Sequence, residues 1–188
     1  MRKAIIDIDG VLNYYPHTFI DYCNHVLLTS FTTLAEVKAA ISYSEYKHIK
    51  HEYRCSEFKH NATVRSGANE LFDYLKSQGY LIYIVTSRQL FADNCLERTI
   101  NWLKKNGLNY DYIYCSVKKD FTIFEKFGHV DFVIDDNVDN INNIKKINGD
   151  NCLYFNVVNS ENVDEKCDAI RFESLENVVE FIKRKAIA

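Results

Sequence analysis

The chain has 188 residues, a length that fits one domain or one domain with an inserted lobe, and 47% of them are hydrophobic, enough for a proper core. Its formal net charge of -3 offers no broad basic surface and argues against a nucleic-acid partner. The longest apolar runs are strand-length, far short of a membrane span, and the basic start "MRK" meets Asp7 after too short an apolar stretch for a signal peptide.

Residues 3–6 read as a buried strand, followed at once by "DIDG". From Tyr14 to about Val64 the chain turns aromatic-rich and contains no glycine. Phe19, Cys23, Val26 and Leu27 keep helical spacing there, and so do Leu34, Val37 and Ile41. This predicts a helical insert over 14–64, within a core built from 1–13 and 65–188. "SGANELFDYLKSQG" then predicts a helix with Ala68, Leu71, Phe72 and Leu75 on one face, Ser66 as N-cap and Gly79 as its stop.

"YLIYIVT" (80–86) reads as a β-branched strand, and "DNCLERTINWLKKNG" as a helix with Leu96, Ile100 and Leu103 inward. A short strand over 110–116 and a short helix over "FTIFEKFG" follow. "VDFVIDD" (130–136) is a strand ending in two acids. Then come a helix in "VDNINNIKKING", a strand in "NCLYFNV", and a last helix on Leu175, Val178, Val179 and Ile182. Strands alternating with helices across short glycine connections predict an α/β fold with a parallel sheet covered on both faces. The abundant asparagine, lysine, isoleucine and tyrosine are read as compositional bias, not as function.

In such sheets ligands bind beyond the carboxyl ends of the strands. That rule gathers Asp7 and Asp9, Thr86 to Arg88, Ser116 to Lys119, and Asp135 with Asp136 on one rim. Four carboxylates on one edge need a cation, and all-oxygen ligation favours a hard divalent ion such as Mg²⁺, which draws a phosphate to it. A carboxylate can attack phosphorus and hold the phosphoryl group, and Asp7 at the strand tip is the candidate. Asp9, two residues on, can act as general acid and base if the chain bends at Gly10. The Thr86 hydroxyl, the Ser87 N–H and a Lys118 or Lys119 ammonium can surround the phosphoryl oxygens, while Asp135 and Asp136 complete the metal end. Each part alone has a plainer reading, as a turn cap, a strand end or a solvated loop. The order of the four, each at a strand end, is what carries the inference.

That order resembles the haloacid dehalogenase (HAD) superfamily of phosphohydrolases: "DIDGV", then "LIYIVTS", then "VKKD", then "DFVIDD" match its four motifs over residues 3 to about 150. The resemblance implies a Rossmann-like core, Mg²⁺ and phosphate-ester hydrolysis through an aspartyl-phosphate. It implies that Asp7 is the nucleophile, Asp9 the acid/base, Thr86 the phosphate binder and Lys119, rather than Lys118, the third-motif lysine. It also implies a metal held by Asp7, the Asp9 carbonyl and one of Asp135 and Asp136. Val11 stands where this motif commonly has Thr. An insert between the first two motifs forms a cap in this superfamily, so 14–64 is expected to cover the site and read the leaving group.

Within that insert Lys47, Lys50, Arg54, Lys59 and the following Arg65 are interleaved with tyrosines, and Arg54 and Lys59 are the candidates for substrate contact, with Arg88 beside them. Tyr14 and Tyr15 could stack on a base or sugar. The stretch is similar to one in nucleotidase-like bacterial members of the superfamily. The expected substrate is therefore a small phosphomonoester, first a nucleoside monophosphate and second a sugar phosphate. A phospho-acceptor domain of the receiver type would carry its paired acids first and its acceptor aspartate mid-chain, the reverse of this order. A non-catalytic scaffold would not need every motif residue, and a nucleic-acid end phosphatase fits poorly with an acidic chain. Six scattered cysteines with no CxxC pair predict free thiols in a cytoplasmic protein, and His48, His51 and His60 lack the fourth ligand of a zinc site.

Overall fold

A computed structural model describes residues 2–88, 95–116 and 118–187. Six strands, β1 (Arg2–Ile6), β2 (Tyr80–Thr86), β3 (Tyr112–Cys115), β4 (Phe132–Asp135), β5 (Leu153–Val157) and β6 (Ile170–Phe172), form one parallel sheet in the order β3-β2-β1-β4-β5-β6. Apolar alternation decides which helices cover which face. Ala4, Ile6, Ile82, Ile84, Ile134 and Phe155 turn to one side. There they meet α5 (Ala68–Ser77), α6 (Cys95–Lys105) and α9 (Leu175–Ile187). Ile5, Tyr83, Val85, Val133 and Tyr154 turn to the other, against α7 (Lys119–Phe127) and α8 (Val138–Asn148).

The segment between the first two strands is helical. It holds α1 (His17–Leu27), α2 (Leu34–Ala40), α3 (Tyr43–Cys55) and the single turn α4 (Glu57–His60). Phe19, Cys23, Leu34, Val37, Ile49 and Tyr53 give it a core of its own. Its two ends lie side by side, since Asn13 and Val64 form an isolated antiparallel bridge and the Arg65 N–H donates to the Leu12 carbonyl at 2.8 Å.

The structure differs from the sequence expectations in four places. The buried face of α6 is Cys95, Thr99, Trp102 and Leu103, and Leu96 is exposed. The indole Nε1 donates to the Ala62 carbonyl at 2.7 Å, so Trp102 faces the core and the neighbouring segment and sets the helix phase. The start proposed for this helix, Asp93 and Asn94, lies outside the described residues. Gly67, not Ser66, occupies the N-cap position of α5. The helix α7 begins at Lys119, two residues before "FTIFEKFG". Strand β6 has only three half-buried residues, too few for a period to register, and it pairs because its carbonyl and amide groups complete the edge of β5. All six cysteines are free.

The sheet's largest aromatic contact joins Phe155, fully buried, to Phe132, Phe172 and Phe181 at centroid distances of 5.6, 5.7 and 5.8 Å. Phe155→Ala should lower unfolding free energy by about 3–5 kcal/mol, read from urea denaturation, and a loss under about 1 kcal/mol would mean that this face is not closely packed.

Candidate active site

Parallel pairing aligns the ends of β1 and β4. Ile6 is paired with Ile84 on one side and Ile134 on the other, and the Asp7 N–H donates to the Ile134 carbonyl at 3.0 Å. Asp7 thus leaves the sheet beside Asp135, at the place where the strand order reverses. One carboxylate oxygen from each of Asp7, Asp135 and Asp136 lies within 4.8 Å of the others. Lys119, buried at the start of α7, places its ammonium 2.6 Å from Asp7 Oδ2 and 2.9 Å from Asp135 Oδ2.

Electrostatics follow the crowding. Burial pushes the Asp7 carboxyl up to about 6 against the pull of Lys119, with Asp135 and Asp9 adding to the rise. Burial, Asp135 and Asp7 hold Asp136 well above the usual carboxylate range. Burial alone would lower the Lys119 ammonium, but Asp7 and Asp135 raise it above the ordinary lysine value. The three acids and one ammonium leave a surplus of negative charge, and Asp7 Oδ1 is buried with no hydrogen-bond partner among the described residues. A hard cation fits this orphaned oxygen and the all-oxygen donor set.

Asp9 is held differently. The Arg88 fork donates to both of its oxygens, Nε to Oδ2 at 3.2 Å and the terminal nitrogen to Oδ1 at 2.8 Å. Lys59 of α4 pairs with the same Oδ1, and Asn13 Nδ2 donates to it at 2.8 Å. Against the effect of burial, Arg88 and Lys59 hold the Asp9 carboxyl well below its usual range. Arg88 is itself locked by Thr99, whose Oγ1 accepts from it at 3.0 Å and donates to the Cys95 carbonyl at 2.7 Å.

A cleft of about 400 Å³ opens over these groups. Asp7, Asp9, Asp136, Lys119, Ser87 and Arg88 line it from the sheet side, and Lys59 and Arg54 from the helical segment. Thr86 ends β2 and is buried beneath the lining, its Oγ1 accepting from the Arg88 N–H at 3.4 Å. Lys118 is exposed and is not part of the lining. Tyr15 borders the cleft, whereas Tyr14 lies apart from the lining, under Arg65 and accepting from the Ser66 N–H at 3.2 Å.

The asparagines are a correction. Asn137 N–H donates to Asp135 Oδ1 at 2.8 Å, and Asn140 Nδ2 to Asp135 Oδ2 at 3.3 Å. Asn159 Nδ2 donates to Asp136 Oδ2 at 2.9 Å, while Asn156 and Asn162 hold the Asp136 carbonyl at 2.9 and 2.6 Å. Asn13 accepts from the Gly10 and Tyr15 N–H groups, both at 3.1 Å, which fixes the turn after Asp9. The sequence alone reads these residues as compositional bias. The usable signal is position: Asn137, Asn140, Asn159 and Asn162 fall two to five residues past a strand end.

This chain has the fold of the HAD-superfamily hydrolases. A protein assigned as a beta-phosphoglucomutase from Thermotoga maritima matches it with a TM-score of 0.72 at 18% identity, over 98% of each chain. A HAD hydrolase of family IA, variant 3, from Entamoeba histolytica matches with a TM-score of 0.60 at 15% identity, over 97% of this chain and 100% of that one. A D,D-heptose bisphosphate phosphatase from B. bronchiseptica, complexed with magnesium and phosphate, matches with a TM-score of 0.55 at 14% identity, over 98% of this chain and 99% of that one. No protein-family model and no curated protein matches the sequence.

Gly10 makes the approach of Asp136 possible. Its φ is +82°, and a Cβ there would lie 1.9 Å from Asp136 Oδ2. Gly79 has a similar φ of +75° with nothing within 4 Å of its Cβ position. Gly10→Ala should therefore destabilise by clearly more than Gly79→Ala, which carries only the backbone cost of about 1–2 kcal/mol. Equal losses in urea unfolding would show that Asp136 is free to move aside.

Proposed function

We propose that this chain is a Mg²⁺-dependent phosphatase that hydrolyses a small phosphomonoester through an aspartyl-phosphate. The observation that carries this is the convergence of Asp7, Asp135 and Asp136 with Lys119 at the mouth of the cleft. Asp7, Asp136 and the Asp9 carbonyl would hold the ion. Asp136 is preferred as the direct ligand because it lines the cleft, while the Asp135 oxygens are taken by Lys119, Asn137 and Asn140. When bound, Mg²⁺ supplies charge neutralisation for the acids and for the phosphoryl oxygens.

The protein's own groups then divide the work. Lys119 and the Ser87 N–H steady the phosphoryl oxygens, together with the Thr86 hydroxyl. An Asp7 oxygen attacks phosphorus as the bond to the leaving oxygen breaks, and Asp9 hands that oxygen a proton. Water then attacks the phosphorus of the aspartyl-phosphate, Asp9 takes its proton, and the bond to Asp7 breaks to release phosphate. Arg88 and Lys59 hold Asp9 as a carboxylate in the absence of substrate. A phosphate dianion entering the cleft competes for those same two cations and loosens their grip on Asp9, which then takes up from solvent the proton it hands to the leaving oxygen.

We take the segment 14–64 as a cap, because it lines the cleft with Tyr15, Lys50, Tyr53, Arg54 and Lys59 while keeping a separate core. Among the leaving groups, a sugar phosphate is favoured over a nucleoside monophosphate. Tyr15, the ring best placed for a base, is already stacked on Phe19 and lies beneath the Lys50 ammonium. The free thiols fit a cytoplasmic protein, and among the described residues no helix is long and apolar enough to cross a membrane.

With a panel of sugar phosphates and nucleotides, Asp7→Asn and metal chelation should each lower phosphate release by about a thousandfold or more. Turnover that survives both would remove the aspartate and the ion from the mechanism.

A further inference from the structure

We propose that the cleft carries a second anion subsite, built on the helical segment from Lys50 and Arg54 with Lys38 beside them, and that it selects phosphomonoesters whose leaving group bears its own phosphate or carboxylate. The inference rests on the phosphatase reading above and names the substrate class for it.

The charge in the cleft divides into two groups. Arg88 and Lys59 are paired with Asp9, and Lys119 with Asp7 and Asp135. These cations are matched by acids. Lys50 and Arg54 line the same cleft with no carboxylate within ion-pair distance among the described residues, and Lys38 reaches only Glu161, at 3.7 Å. The helix α3 places them deliberately by spacing, since residues 46, 50, 53 and 54 fall on one face.

Lys50 is the centre of this patch. Its ammonium lies 5.8, 5.9 and 5.5 Å from the ring centroids of Tyr15, Phe19 and Tyr46, and among the described residues its one hydrogen bond is to the Tyr46 hydroxyl at 3.4 Å. The rings position a cation without neutralising it. Burial, with Arg54 and Lys38 alongside, lowers its pKa, as expected for a half-desolvated ammonium among like charges. An anion seated there relieves that repulsion and offers the Arg54 fork a bidentate partner. A cleft of about 400 Å³ has room for a phosphoryl group at Asp7 and a short polar skeleton ending at Lys50.

The test compares matched pairs with and without the second anion: a hexose bisphosphate against the hexose monophosphate, and phosphoglycerate against glycerol phosphate. The doubly anionic member should be preferred by about tenfold or more in kcat/KM, chiefly through KM. Lys50→Met and Arg54→Gln should each erase most of that preference while melting with the parent protein. The first pair reports a phosphate and the second a carboxylate at the subsite. Calorimetry on Asp7→Asn with Mg²⁺ repeats the comparison without turnover, so that absent hydrolysis refutes the phosphatase reading while equal binding of both members refutes the subsite. A preference that persists in both variants also overturns it.

Discussion

Everything at the mouth of the cleft depends on one ammonium among three carboxylates. Asp7 and Asp135 are fixed side by side by the hydrogen-bonded register of β1 and β4, so neither can retreat without breaking the sheet. Like charges held this close in a buried place repel strongly, and burial adds its own penalty. Lys119 answers part of that charge from the start of α7, bridging both acids. It does not answer all of it. The oxygen of Asp7 left without a partner and the raised Asp136 carboxyl mark the remainder, the charge that the proposed divalent ion would neutralise.

A second ionic arrangement ties the helical segment to the sheet. Asp9 belongs to the turn after β1, Arg88 follows β2, and Lys59 comes from α4. The same segment is anchored on α6, where Trp102 Nε1 donates to the Ala62 carbonyl and Arg98 to the Cys55 carbonyl at 2.8 Å. The position of α4 and the state of the Asp9 carboxylate are thus coupled. Any motion about the paired Asn13 and Val64 that lifts α4 would take Lys59 off Asp9 and leave Arg88 and Asn13 as its partners.

The sequence is legible where periodicity and strand ends dominate. The five longer strands and the strand-end residues Asp7, Thr86 and Asp135 follow from apolar runs that stop at a polar residue, because a parallel strand buried on both faces tolerates none earlier. It is illegible where identity depends on a partner elsewhere in the chain. "KK" does not say that Lys119 starts a helix and turns inward while Lys118 stays in solvent; the pull of Asp7 and Asp135 decides that. The phase of α6 is set by Trp102 meeting Ala62, forty residues away in sequence. Asparagines such as Asn159 and Asn162 look like loop composition, and only the fold brings their amides to Asp136.

Catalytic and selective chemistry are carried by different kinds of backbone. On the proposed mechanism the groups that meet at phosphorus sit on or just past strand tips and at the start of α7, and the Asp7 N–H is still held by the Ile134 carbonyl. Lys50 and Arg54 sit on a helix in a segment with its own small core, joined to the sheet by two chain passages. Residues of α3 can change without touching the acids directly, whereas Lys59 of α4 cannot, because it pairs with Asp9. The tight matching of Arg88 and Lys119 by acids is a property of the sheet side, and Lys59 of α4 joins it from the helical segment. The unmatched charge of Lys50 and Arg54 is a property of the helical segment, so the proposed subsite assigns the reading of the leaving group to α3 rather than to the strands.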